Sequence, residues 1–84
     1  MYEHQKPITA PLASGEVVHH TALLFGSHYL KVTEVDTAGV VLVPCDPKGN
    51  STRSSSVYMR HHKIVGKADW KKVEWHRMPP TKTV

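Results

Sequence analysis

Short apolar stretches cut by glycines and polar turns run through the middle of this chain. Residues 16–25 are rich in Val, Thr, Leu and Phe and stop at Gly26-Ser27. Glycine at the first central position of a two-residue turn supplies the positive φ of a type II′ hairpin, so a second strand is expected directly after it. Residues 28–35 alternate, with Leu30 and Val32 on one face and Tyr29, Lys31 and Thr33 on the other. Val35 falls out of that register, which predicts a bulge near Thr33-Glu34. Asp36-Thr37-Ala38-Gly39 reads as a type I turn closed by glycine, giving another hairpin.

The third strand, 40–44, is apolar on both faces and is expected to be covered on both sides or to pack on another subunit. Residues 46–55 are dense in turn formers and predict a polar loop. A fourth strand at 56–60 sets Val57 and Met59 against Tyr58 and Arg60. After a short break at His61-His62-Lys63, residues 70–77 fit a strand with Val73 and Trp75 inward. They also fit a short helix capped by Asp69; the strand is preferred.

Five or six short strands with tight turns predict a mainly β domain, a small barrel or strongly bent sheet. An OB fold needs a helix where the Pro/Gly/Ser-rich 46–55 segment lies, whereas an SH3-like barrel needs only a loop there and commonly joins its fourth and fifth strands through one 3₁₀ turn. The expected architecture is therefore a five- to six-stranded SH3-like or Sm-like barrel at 15–77. It is flanked by a flexible arm at 1–14, where Pro7 and Pro11 interrupt a weak apolar pattern, and by a flexible Pro-Pro tail at 78–84.

The stretch from Val57 to Val65 resembles the second conserved element of Sm-like proteins, a Tyr-Lys-His type sequence followed by aliphatic residues. The likeness covers about ten residues, and Pro7 and Pro11 interrupt the place of the N-terminal helix of that family. It implies a ring oligomer that binds RNA near Tyr58 to His62.

Charge sharpens the picture. Residues 1–47 hold two Lys/Arg against five acids, a net −3, while residues 48–84 hold nine against two, a net +7. Such segregation favours a polyanion or an acidic protein surface as partner. The basic part interleaves Arg53, Arg60, Lys63, Lys67, Lys71 and Lys72 with Tyr58 and Trp70. Cations neutralise phosphates and exposed rings stack bases, so these eight residues are the candidate contacts for RNA or single-stranded DNA.

Other chemistries have less behind them. The adjacent pairs His19-His20 and His61-His62 point to opposite faces of a strand, and no spacing encodes a metal site. Cys45 is alone, so no disulfide is expected, and no phosphate-binding glycine loop or nucleophile–base motif marks an enzyme. No cofactor is expected. A domain of this size buries only about 60% of its unfolded surface, so association with copies of itself is the expected staple. The apolar runs are too short to span a membrane, no secretory h-region is seen, and the cytoplasm is the expected compartment.

Overall fold

Six strands form one antiparallel sheet: β1 (Tyr2–Pro7), β2 (Val17–Leu24), β3 (Ser27–Val35), β4 (Gly39–Pro44), β5 (Val57–Arg60) and β6 (Trp70–His76). A 3₁₀ turn at His61–Lys63 lies between β5 and β6. The computed structural model describes residues 2–76, so the expectations for Arg77 and for the 78–84 tail fall outside the described residues. Neighbours across the sheet run β1-β6-β2-β3-β4-β5, and the sheet is not closed: β1 and β5 are its edges.

The two hairpins form where alternation and turn residues place them. Leu24 pairs with Ser27, so the first turn consists of Phe25 and Gly26, one residue earlier than the sequence predicts. Both have positive φ, 54° and 77°, which is the type I′ signature and corrects the II′ expectation. The bulge expected at Thr33-Glu34 is present as a register shift between Val32 and Glu34. In the second turn the Asp36 carboxylate accepts the backbone N–H groups of Ala38 at 2.8 Å and Gly39 at 2.6 Å.

One face of the sheet is the core. Val18, Leu30, Val32, Val40 and Leu42 are fully buried, joined by Ile64 and Trp70. Each such aliphatic side chain contributes on the order of 1.5–3 kcal/mol by leaving water. Ile8 and Leu12 belong to the same cluster. The N-terminal segment is therefore not a free arm: Tyr2–Pro7 pairs along β6 from Tyr2↔His76 to Pro7↔Lys71, and the two aliphatics beyond it plug the core. The unpaired side of β6 supplies the ladder partners that this polar stretch cannot find locally.

The opposite face is partly covered by the loop at 46–50. Asp46 orders that loop by accepting the backbone N–H groups of Lys48 and Asn50, both at 2.9 Å. Gly49 sits against Val17, and the Trp75 indole N–H donates to Pro47 O at 2.6 Å. This explains a departure from the simple alternation expected of β6. Trp70 enters the core, whereas Val73 and Trp75 lie on the other face, Val73 buried and Trp75 half-buried. The segment Trp70–His76 is a strand, as preferred from the sequence, and not a helix capped by Asp69. The third strand of the sequence reading, β4, is flanked by β3 and β5, with Val40, Leu42 and Pro44 buried and Val41 and Val43 half-buried.

Candidate nucleic-acid interface

The eight candidate residues divide by what surrounds them. Trp70 is 4% exposed and packs edge-on against the His20 ring, centroids 4.4 Å apart. It is a core residue and presents no stacking face, which corrects its assignment as a base-contacting ring. Tyr58 is 46% exposed, on the outer face of β5, and its hydroxyl donates to Asp36 Oδ1 at 2.9 Å. That hydrogen bond supports ionised Asp36, whose pKa is lowered first by the Gly39 N–H, then by Tyr58 and Ala38. Desolvation and the same carboxylate raise the Tyr58 pKa.

The lysines separate into paired and unpaired. Lys72 meets Glu16 at 2.8 Å, a contact that raises its pKa, and Lys6 meets Glu74 at 3.1 Å. Lys67 and Lys71 have no carboxylate within ion-pair distance among the described residues. They flank a groove of about 470 Å³ lined also by Pro7, Ile8, Thr9, Val65, Gly66 and Ala68. Asp69, between them in sequence, does not line it.

Local backbone bonds build this groove. The Gly66 N–H donates to Ile8 O at 2.8 Å, tying the β5–β6 connection to the segment after β1. Gly66 has a φ of 75°, which lets the chain turn back there. Trp70 N–H donates to Lys67 O at 3.2 Å, and Pro7 lies opposite Lys71 in the β1–β6 ladder. The result is a groove in which Lys67 and Lys71 stand beside Pro7, Ile8 and Val65.

Arg60, Lys63, Lys67 and Lys71 thus share one stretch of chain from the end of β5 to the start of β6, and all but the half-buried Lys71 are exposed. Arg53 is elsewhere, its guanidinium resting against Gly26 of the first hairpin. Sequence reasoning missed Pro7, Ile8 and Thr9 as groove walls. Ile8 and Leu12, apolar residues that each directly follow a proline, are the signal that marks that segment as more than an arm.

A second depression, about 250 Å³, is lined by Glu34, Val35, Asp36, Gly39, Val41 and Tyr58 and carries carboxylates but no Lys or Arg. A histidine cluster lies on the β2–β3 hairpin. His19 stacks on His28 with centroids 5.5 Å apart and meets Tyr29 edge-on at 5.1 Å. Burial and then His28 hold the His19 pKa down. Burial, and after it the hydrogen bond that its hydroxyl donates to Glu3 Oε1 at 2.8 Å, push the Tyr29 pKa up to about 12. The Glu3–Tyr29 bond spans β6 and β2, which separate β1 from β3 in the sheet.

Among the described residues no three His, Cys, Asp or Glu side chains are grouped to hold a metal ion. Cys45 is buried, and desolvation followed by Asp46 pushes its pKa up to about 11, so at neutral pH it is a thiol rather than a nucleophilic thiolate. No described helix is long and apolar enough to cross a membrane. The chain matches no protein-family model, no curated protein and no solved structure.

Proposed function

We propose that this chain is a small non-catalytic basic β-module that binds RNA or single-stranded DNA along the β5–β6 connection, with Lys67 and Lys71 holding phosphate. One observation carries the reading: these two lysines flank an apolar groove free of carboxylates, while their neighbours Lys6 and Lys72 are already paired with acids. A phosphodiester strand matches both features, its anionic backbone against the ammonium groups and its sugars or bases against Pro7 and Val65. Lys63 extends the cationic track upstream. The return of β6 to pair with β2, and the 3₁₀ turn before it, support an SH3-like connection order for β2 to β6.

Fluorescence anisotropy with a labelled single-stranded oligonucleotide tests this. Affinity should fall as salt rises. Lys67→Ala with Lys71→Ala should weaken binding and flatten the log–log salt slope by about 1.4, at roughly 0.7 per phosphate contact on a single strand. Lys48→Ala, in the 46–50 loop away from the groove, should leave both unchanged. Absence of binding at low salt sinks the proposal. Binding to polyglutamate but not to oligonucleotides would transfer the groove to an acidic protein surface.

A further inference from the structure

The two edges of the sheet are not equivalent. β1 is protected in the way natural edges are: Pro7 lacks an N–H, Glu3 and Lys6 are charged, and Lys6 is paired across to Glu74 of β6. β5 reads Val-Tyr-Met-Arg, with a single charge. Its hydrogen-bonding phase follows from its neighbours. The His61 N–H donates to Ala38 O at 2.9 Å, and the Met59 carbonyl lies against Gly39. In an antiparallel ladder the bonded positions alternate, so Val57, Met59 and His61 turn their backbone groups to β4. Tyr58 and Arg60 turn theirs outward, and among the described residues no strand adds to that side.

We propose that β5 pairs antiparallel with β5 of a second copy about a two-fold axis at Met59, so that Tyr58 of each chain lies opposite Arg60 of the other. This register makes Tyr58 and Arg60 the mutually bonded pair at both ends, satisfying every outward group of the two residues. It is also complementary in charge. Tyr58 is bonded to Asp36 and lines the depression that holds Glu34 and Asp36 without any Lys or Arg, and the second copy's Arg60 arrives on that face over the Tyr58 ring. Exposed Val35, at 44%, lies at the same rim and is shielded by the approach. Because the patch is self-complementary, the interface closes at two copies and makes no fibre.

Analytical ultracentrifugation and hydrogen exchange test it. The wild-type chain should pass from the 9.4 kDa monomer to twice that mass as concentration rises. Amide protection of Tyr58 and Arg60 should rise in parallel, while Met59, already bonded to β4, should change little. Arg60→Glu should be monomeric with an unchanged far-ultraviolet spectrum. The register has its own check. Met59→Cys should form an intermolecular disulfide, since facing non-bonded pairs sit about 4.5 Å apart at Cα, within disulfide reach. Val57→Cys, placed opposite His61 of the second copy, should not. A wild-type chain that stays monomeric at millimolar concentration overturns the proposal, as does protection at Tyr58 and Arg60 that ignores concentration. Cross-linking at Val57 in place of Met59 overturns the register. None of these outcomes depends on oligonucleotide binding.

Discussion

Gly39→Ala is the substitution that separates contact from conformation in this fold. Gly39 opens β4 and is buried, and its φ is not in the left-handed region, so its role is space. A methyl group there would press into the Met59 carbonyl well inside van der Waals contact, and would lie 2.8 Å from the Tyr58 hydroxyl and 2.9 Å from Arg60 Cα. Two of those three neighbours are backbone, so the clash is relieved only by moving β5 away from β4. Overpacking of this kind costs about 1–3 kcal/mol, and weakening one ladder hydrogen bond adds about 1 kcal/mol. The expected loss is about 2–4 kcal/mol, a fall in Tm of at least about 8 °C for a domain of this size. Urea denaturation followed by tryptophan fluorescence reads it, since Trp70 lies in the core. Gly15→Ala is the control: its φ is 91° but nothing lies within 4 Å of an added methyl, so only conformational strain of about 1–2 kcal/mol is expected. A loss at Gly39 below about 1 kcal/mol, or smaller than that at Gly15, would refute the close approach of β5 to β4.

Two more outcomes follow from the β2–β3 hairpin. Phe25 is 44% exposed with a φ of 54°, in a turn that favours Asn before Gly, so Phe25→Asn should stabilise the domain by about 0.5–1 kcal/mol in the same denaturation assay; destabilisation would count against the I′ assignment. The lowered pKa of His19 means the unfolded chain takes up that proton more readily than the folded one. Stability from this site is therefore complete above about pH 6.5 and is lost as pH falls through the folded pKa. Tm should drop between pH 7.5 and pH 5, and His19→Gln should shrink the drop; an unchanged pH profile in that variant contradicts the assignment.

How much was legible in the sequence depends on how local the cause is. The hairpins, the bulge at Thr33-Glu34 and the 3₁₀ break after Arg60 are set by neighbours along the chain, by glycines and by two-residue alternation. They could be read. Strand β1 could not, because Tyr2–Pro7 is polar and its reason for being extended is the open side of β6 at the other end of the chain. Trp70 was misread for a related cause. Alternation assigns one inner face to a strand, but the 46–50 loop covers the second face of β6, so both parities are buried and the pattern loses its meaning. The basic residues are visible as a run, yet that Lys72 is paired is not, because only the folded chain brings Glu16 to it.

The most direct measurement of the central claim is amide chemical-shift mapping during titration with a short single-stranded oligonucleotide. Binding in the proposed groove predicts that the largest shifts fall at Ile8 and Thr9 and from Val65 to Lys71, with smaller ones at Lys63. Shifts concentrated instead around Glu34, Asp36 and Val41, or at the 46–50 loop, would contradict it.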